Sequence, residues 1–331
     1  MKTGIVVEGG GMRGIYAAGV LDVLWEHGVK ADGLIGVSAG AINGCGFVSG
    51  QAGRSIRYNL KYCRDPRYMS FRSLVRTGDI VGSDFCYRQL PELLDPFDND
   101  GFEASPMEFY AACTDVETGK PVYHRCDSLR GSNMDWIRAS ASMPLVSRIV
   151  EIDGQKLLDG GVADSIPAAA FSRMGFKKNL VILTRPESYR KKPNRMIHIM
   201  RRVYRRYPEF IRAMERRHLM YNRELDEIKR MEAAGEIYVI RPSRLIKISR
   251  TEKRPEKIQE MYDLGREDGG RALREAAAFL EGVNSKEDGH GEDNPFTGRS
   301  QIVRGQHGSK ARGAGSDETA KGRFNGYASG L

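Results

Sequence analysis

The order of apolar runs and turns in the first fifty residues limits this chain to a small set of folds. An apolar run over residues 3–7 is followed by a glycine loop and by residues 15–26, whose apolar side chains recur at helical spacing. A second apolar run, 33–37, leads into a turn at Ser38 and then into helix-favouring residues. Two strands separated by a helix pair in parallel, and a parallel sheet needs helices to cover its faces. We therefore expect an α/β protein.

The turn after the second strand points to chemistry. Residues 36–40 read Gly-Val-Ser-Ala-Gly, and a residue in a sharp strand-to-helix turn has an exposed side chain and a strained backbone. Gly36 and Gly40 have a steric reason, because strand and helix pass too close to the turn to admit a Cβ. A helix beginning at Ala39 would direct the positive end of its dipole at an anion formed beside Ser38. Ser38 is thus predicted to be the activated hydroxyl of an acyl-transfer enzyme.

The bulk composition excludes several classes of protein. The 331 residues are 40% hydrophobic, enough for one large domain or for one domain with a smaller appendage. The apolar stretches are too short to span a bilayer, and the N-terminus lacks a signal-peptide core, so we expect a cytoplasmic protein. The five cysteines form no C-x-x-C pair and the six histidines show no metal-ligand spacing. We expect free thiols, no metal and no organic cofactor.

Charge and composition divide the chain into three segments. Residues 1–185 alternate strands and helices and form the predicted catalytic domain. Residues 186–282 are predicted to be a mainly helical, basic extension, either packed on the first domain or semi-independent. Between residues 185 and 254, Lys and Arg outnumber Asp and Glu by about a dozen, against a net charge of +9 for the whole chain. Residues 283–331 have almost no large apolar side chains and are predicted to be a disordered tail.

A second turn completes the sequence pattern. Asp153-Gly154 is suited to a type I′ turn between two short strands, and the second strand leads directly into Asp159-Gly160-Gly161. In this order, the glycine loop at residues 9–14, the Ser38 turn and residues 159–161 resemble the patatin-like phospholipase family. Residues 140–144 are similar to the segment that precedes the aspartate hairpin in that family. The resemblance covers roughly residues 4–185.

The resemblance implies a three-layer sandwich, in which a mostly parallel sheet lies between helices and carries a helical C-terminal extension. It also implies a lipid acyl hydrolase, of phospholipase A or lysophospholipase type, that uses a Ser–Asp dyad and an acyl-serine intermediate. Ser38 would be the nucleophile and Asp159 its general base. A serine hydroxyl is a poor nucleophile until a base takes its proton, so Asp159 must be partly withdrawn from water. Gly160 and Gly161 would let the chain turn and bring the carboxylate to the serine.

The resemblance assigns the stabilisation of the tetrahedral intermediate to the glycine loop. The expected donors are the backbone amides of Gly10, Gly11, Met12 and Ala39. The oxyanion hole as a whole is predicted to comprise Gly9, Gly10, Gly11, Met12, Arg13, Gly14 and Ala39. Three interpretations of Arg13 stay open: it pairs with a lipid phosphate, it pairs with the edge of the sheet, or it forms an ordinary salt bridge at the surface.

Each motif has a competing interpretation. The glycine loop would suit a dinucleotide pyrophosphate, but that reading needs an acidic residue at the end of the second strand, and Asp32 precedes that strand. His124 is the nearest candidate for a third catalytic member. Without the other two motifs, Asp159 would be an ordinary aspartate at the end of a hairpin.

The basic extension has two open interpretations. The arginine pairs at 201–202, 205–206 and 216–217 form either a solvated helical face or a surface attracted to an anionic membrane that holds the lipid ester substrate. A nucleic-acid partner is not expected, since no recognised fold or aromatic platform accompanies the charge. The alternative function is a catalytically idle protein that binds anionic lipid or nucleic acid through residues 186–254. The head group, acyl length, cleaved bond and oligomeric state are left open.

Overall fold

The computed structural model describes residues 1–282, so the tail predicted for residues 283–331 lies outside the described residues. The strands are β1 (Lys2–Val7), β2 (Gly33–Val37), β3 (Glu108–Asp115), β4 (Pro121–Arg125), β5 (Val150–Ile152), β6 (Gln155–Asp159), β7 (Phe176–Ile182) and β8 (Ile237–Ile240). They form one eight-stranded sheet in the order β5-β6-β3-β2-β1-β7-β8, with β4 also paired to β3. The strands β3, β2, β1, β7 and β8 are parallel to their neighbours in that order, and β4, β5 and β6 pair antiparallel. The mostly parallel sheet is confirmed.

Helices cover both faces of the sheet. They are α1 (Ile15–Glu26), α2 (Ala39–Val48), α3 (Arg54–Tyr62), α4 (Phe71–Thr77), α5 (Asn99–Ala104), α6 (Met134–Ser140), α7 (Ala168–Arg173), α8 (Ile197–Val203), α9 (Pro208–Ala233) and α10 (Pro255–Glu281), with a π-helical segment at Phe85–Leu94. Ile5 and Leu34 pack on the face covered by α1, α2 and α10, whereas Val6 and Ile35 pack on the face covered by α7 and α9. Successive side chains of a strand point to opposite faces of the sheet, and here both faces are buried. The expected three-layer sandwich is confirmed.

The extension packs on the first 185 residues. Strand β8 lies beside β7 at the edge of the sheet, and α10 crosses α1 at glycines. A Cβ at Gly265 would lie 2.1 Å from the Tyr16 carbonyl oxygen, and one at Gly19 would lie 2.3 Å from the Tyr262 carbonyl oxygen. The Tyr262 hydroxyl also donates to Asp22 at 2.7 Å. Of the two arrangements that the sequence left open, the structure has the packed one. Across residues 1–282, no helix combines the length and the apolar character needed to cross a membrane.

Two turns near the site follow their local chemistry. Asp153 and Gly154 both have positive φ, 49° and 77°, as a type I′ turn requires. The sequence of residues 136–144 predicts a helix that Pro144 ends, but α6 ends earlier, at Ser140. The Ser142 amide donates to the Ala139 carbonyl at 3.1 Å, an i→i−3 bond that tightens the last turn and ends the helix.

Candidate active site

Ser38 lies in the sharp turn between β2 and α2. Its φ of 56° and ψ of −122° belong to a region of backbone conformation that residues other than glycine rarely adopt, so the backbone is strained there. The Ser38 amide donates to Ser140 Oγ at 2.9 Å, and the Ser140 hydroxyl donates to the Ala112 carbonyl at 2.6 Å. The Ser38 carbonyl accepts the Ala41 amide at 2.9 Å. Hydrogen bonds on both sides of the residue therefore hold the strained turn in place.

The glycines around the turn are needed because backbone segments approach closely. A Cβ at Gly40 would lie 2.3 Å from the Val7 carbonyl oxygen, and one at Gly36 would lie 2.5 Å from the Ala41 nitrogen. A Cβ at Gly9 would lie 2.9 Å from Ser38 Cβ. The close approach predicted on steric grounds for Gly36 and Gly40 is what the structure has. The glycine loop also lies directly against the serine turn, at Gly9.

Three of the four expected oxyanion donors have no partner. Within residues 1–282, the amides of Gly10, Gly11 and Ala39 have no hydrogen-bond acceptor. The Met12 amide differs, because it donates to the Arg250 carbonyl at 3.1 Å. Gly10, Gly11 and Ala39 are half-buried and lie at or just before the start of a helical turn, where backbone amides have no intrahelical acceptor. These three amides are therefore available to a ligand atom, whereas the Met12 amide is already engaged.

Asp159 ends β6 and is buried, with 5% of its surface exposed. The Gly161 amide donates to its Oδ1 at 2.8 Å, and the Asp159 amide donates to the Ser142 carbonyl at 2.8 Å. A Cβ at Gly160 would lie 2.2 Å from the Ala112 carbonyl oxygen. Residues 140–142 thus support both halves of the site, because Ser140 binds the Ser38 amide and Ser142 binds the Asp159 amide.

Ser38 and Asp159 line the same cavity, which has a volume of about 650 Å³. In the described part of the chain, no hydrogen bond joins Ser38 Oγ to the Asp159 carboxylate. Catalytic hydrogen bonds often tighten only when substrate is bound.

His124 lies on β4 with its ring stacked on Trp136, the two centroids 3.7 Å apart, and burial lowers its pKa. Neither cavity that Ser38 lines includes His124.

Two cavities of opposite character meet at Ser38. The smaller one, of about 120 Å³, has an apolar wall. Its apolar side chains include Ile15, Ile42, Val81, Leu90, Met134 and Ile137. The larger one, which also contains Asp159, has a wall rich in Lys and Arg. Gly11, Ser38, Met143 and Arg250 border both cavities. The nucleophile candidate therefore lies at the boundary between an apolar and a cationic space, which is the arrangement that an amphiphile needs.

The positions of the cations in the larger cavity do not follow from the sequence. Arg216 and Arg217 were assigned to one basic face, but Arg216 is exposed and Arg217 Nε donates to the Gly161 carbonyl at 2.5 Å. Arg13 is buried and forms no salt bridge within residues 1–282, so the surface ion pair is not what the structure shows. Burial, together with the charges of Arg185 and Arg250, lowers the pKa of Arg13 to about 10.

A buried carboxylate links the extension to the glycine loop. Glu8 Oε1 accepts the Tyr221 hydroxyl at 2.6 Å, and Glu8 Oε2 accepts the Thr184 amide at 2.6 Å. The Thr184 hydroxyl donates to the Gly9 carbonyl at 2.8 Å. Tyr221 lies on α9, so a helix outside the predicted catalytic domain helps to fix the loop beside Ser38. No sequence motif marked these residues.

Comparison with protein families agrees with this geometry. The family model for patatin-like phospholipases matches residues 5–172. The chain belongs to the patatin-like phospholipase family. A second model, a domain of unknown function (DUF6363), matches residues 207–281. In this patatin-like protein, α9, β8 and α10 thus lie beyond the patatin match, in the region that the second family model covers.

Curated relatives are similar in sequence to part of this patatin-like chain. The uncharacterized protein YjjU of Escherichia coli K12 is 31% identical over 195 residues, 56% of this chain and 52% of the relative. The uncharacterized NTE family protein MT2641 of Mycobacterium tuberculosis is 32% identical over 173 residues, 50% of this chain and 27% of the relative. Lysophospholipase nte1 of Aspergillus terreus is 28% identical over 181 residues, 53% of this chain and 11% of the relative. The chain spans about half or less of the length of these relatives.

Among solved structures, VipD from Legionella pneumophila is similar, with a TM-score of 0.42 and 12% identity. The match covers 83% of this chain and 67% of VipD.

Proposed function

We propose that this protein hydrolyses acyl esters of lipids through an acyl-serine intermediate. Membership of the patatin-like phospholipase family and a relative named as a lysophospholipase support the proposal. One observation carries it: the strained Ser38 turn and the buried Asp159 carboxylate line one cavity, beside glycine amides that have no acceptor within residues 1–282. A strained serine, a desolvated base and free amide donors are the parts that acyl transfer requires.

The proposed reaction has two steps. Asp159 accepts the proton of Ser38 Oγ as that oxygen attacks the ester carbonyl carbon, and the amides of Gly10, Gly11 and Ala39 stabilise the resulting oxyanion. Removing one such donor typically costs about 3 kcal/mol of barrier. The alcohol oxygen leaves with the proton from Asp159 and an acyl-serine remains. Water then attacks the acyl carbon, gives a proton to Asp159, and that proton returns to Ser38 Oγ as the free acid departs.

Covalent labelling by a fluorophosphonate tests the proposal. We expect the wild type to be labelled, Ser38→Ala to be unlabelled, and Asp159→Asn to be labelled at least about a hundredfold more slowly, since general-base catalysis contributes on that scale. Ser132→Ala, at an exposed serine, is the control for the nucleophile. Asp153→Asn, at the other end of the same hairpin, is the control for the base, and its φ of 49° is one that asparagine tolerates.

Labelling of Ser38→Ala at the wild-type rate would refute the assignment of the nucleophile. A folded wild type that stays unlabelled, both in buffer and with anionic vesicles, would favour the catalytically idle binding protein.

We also propose that the protein binds peripherally to an anionic membrane through α8. Ile199 and Val203 are 51% and 57% exposed, and the neighbouring Arg202 and Arg205 are exposed as well. Apolar side chains flanked by cations suit an anionic lipid surface. The same helix borders the larger cavity through Met200, so a docked membrane would lie near the site.

Sedimentation with anionic vesicles tests the role of α8. Val203→Ser should weaken binding about fivefold, through the lost apolar contact. Leu93→Ser, at a leucine that is 74% exposed and follows the exposed, acidic Glu92, is the control and should bind like the wild type. Equal binding by both variants would remove α8 from the membrane contact.

A further inference from the structure

The wall of the larger cavity carries charge of predominantly one sign. Eight Lys or Arg side chains line it, against the two carboxylates of Glu8 and Asp159. The cations are Arg13, Arg185, Arg190, Lys191, Lys192, Arg195, Arg217 and Arg250. Arg190 is paired with Asp226, but within residues 1–282 the other seven form no salt bridge. Like charges gathered in a cavity repel one another, and this repulsion is relieved when an anion binds among them.

Arg13 gives the clearest indication that this wall binds an anion. The residue is 9% exposed, and its Nε has no hydrogen-bond partner in the described part of the chain. Buried guanidinium groups are nearly always paired, so an unpaired one indicates an acceptor that binds there. The neighbouring Lys191 points the same way, because burial and the charge of Arg217 lower its pKa to about 7.

The groups that could receive a positively charged head group are already occupied. Glu8 accepts hydrogen bonds from Tyr221 and Thr184. Asp159 Oδ1 accepts the Gly161 amide, and the proposed reaction uses this carboxylate as the base for Ser38. The Arg185 guanidinium lies 4.3 Å from the ring centroid of Tyr189, and Lys191 Nζ lies 4.1 Å from that of Tyr221. A quaternary ammonium needs a free aromatic face or carboxylate. Protein cations lie over both of these rings, so a choline group would be repelled from them.

We propose, resting on the hydrolase function above, that the substrate is an acyl ester whose head group is an unsubstituted phosphate monoester. The phosphate binds among Arg13, Lys191 and Arg217, and the acyl chain enters the apolar cavity on the other side of Ser38. A phosphate monoester carries close to two negative charges at neutral pH and accepts charge-assisted hydrogen bonds from several donors. Lys191 and Arg217 lie beyond the patatin match at residues 5–172, so the extension would determine which head group is accepted.

Steady-state kinetics on three esters of one acyl chain test this proposal, with glycerol phosphate, glycerophosphocholine and glycerol as the alcohols. The wild type should show a kcat/KM at least about tenfold higher for the phosphate monoester than for the choline ester, equivalent to one charge-assisted hydrogen bond. Lys191→Gln should reduce that ratio about tenfold and Lys191→Arg should retain it. Lys177→Gln, at an exposed lysine of β7, is the control and should keep the wild-type ratio.

Equal kcat/KM for the three esters, or a ratio unchanged in Lys191→Gln, would overturn the proposal while leaving hydrolysis intact.

A binding measurement separates this proposal from catalysis. The Ser38→Ala protein is titrated by calorimetry with the phosphate monoester lipid, with the choline lipid and with inorganic phosphate. The phosphate lipid should bind at least about tenfold more tightly than the choline lipid, and adding Lys191→Gln should remove that difference. If the phosphate lipid binds more tightly but the wild type does not hydrolyse it, the hydrolase function is refuted and the head-group assignment stands. Binding of inorganic phosphate without binding of the lipid would overturn the lipid assignment, because the site would then serve free phosphate.

Discussion

The two cavities that meet at Ser38 come from different parts of the chain. Apart from Arg250, the residues of the apolar cavity all lie between Gly11 and Met143, inside the patatin match at residues 5–172. The larger cavity takes all of its Lys and Arg except Arg13 from residues 185–250. The region shared with the family therefore holds the Ser38 turn and the apolar cavity. The charge that faces that turn is supplied by the segment that follows.

This division has a physical basis. The turn at Ser38 depends on close backbone contacts that leave no room for a larger side chain. A Cβ at Gly40, for example, would lie only 2.3 Å from the Val7 carbonyl oxygen. A cavity wall depends on side chains, and their charge acts over a distance comparable to the Debye length of about 8 Å. Specificity can therefore change through the wall while the turn stays the same. A substitution in the turn should therefore lower activity on every ester. A substitution in one cavity wall should change only the preference for acyl length or only the preference for head group.

The largest effect is expected at the turn itself. In Gly40→Ala the new Cβ would lie 2.3 Å from the Val7 carbonyl oxygen, so β1 and α2 must separate. We expect a loss of about 3 kcal/mol of stability and at least a hundredfold loss of kcat/KM on every ester. Gly46→Ala is the control, because no heavy atom lies within 4 Å of its Cβ. Thermal unfolding and ester hydrolysis report both quantities, and an active Gly40→Ala protein would contradict the steric account of the turn.

The apolar wall should respond to added volume. Met134 lines the apolar cavity, and Met134→Trp would shorten the space for an acyl chain. We expect kcat/KM for long-chain esters to fall about tenfold while short-chain esters are hardly affected, as for other apolar pockets. Met174→Trp, at an exposed methionine of the loop after α7, is the control. A uniform loss for all chain lengths would show that this cavity does not hold the acyl chain.

The strands, the turns and the family could be predicted because their signals are local. The spacing around Ser38 and the Asp153-Gly154 turn before Asp159 follow from backbone sterics, which a short stretch of sequence records. The bounds of α1 and β2 also follow from periodicity and flanking glycines, and the structure has them where the sequence placed them.

The cationic wall could not be predicted, because its members are brought together by packing. Arg216 and Arg217 are neighbours about 100° apart around α9, and only the contact of α9 with the sheet decides which one faces the cavity. Arg250 belongs to a stretch with neither helix nor strand, so no periodicity predicts its contact with Met12. Lys191 follows β7 in a similar irregular stretch, and its place beside Tyr221 depends on where α9 packs.

The cationic wall should respond to pH. Burial, and the charges of Arg217, Arg250 and Arg13, lower the pKa of Lys191 to about 7 against the opposing effect of Glu8. A lysine with a lowered pKa is charged below that pH and neutral above it, so binding of an anion weakens as pH rises through 7. The pKa of Arg13, about 10, keeps that group charged throughout. We expect the ratio of kcat/KM for the phosphate ester to that for the neutral glycerol ester to fall about fivefold between pH 7 and 9.

Lys191→Arg keeps its charge over this range and should give a flat ratio. A wild-type ratio that is equally flat would exclude Lys191 from contact with the head group. Taking the ratio of two esters removes the contribution of groups that act on both.

The smallest effect on the head-group preference is expected where the extension supports the glycine loop without contributing charge. Tyr221→Phe removes the hydroxyl that donates to Glu8 at 2.6 Å and leaves a buried carboxylate oxygen without that donor. We expect a loss of about 1–2 kcal/mol in the free energy of unfolding, measured from urea midpoints. Tyr238→Phe, whose hydroxyl donates to Glu275 at 2.9 Å in a more exposed setting, should lose less than about 0.5 kcal/mol. Because the apolar ring beside Lys191 is retained, the head-group preference should survive in Tyr221→Phe. If the preference were lost together with stability, the extension would act on the substrate through the glycine loop and not through the charge of its side chains.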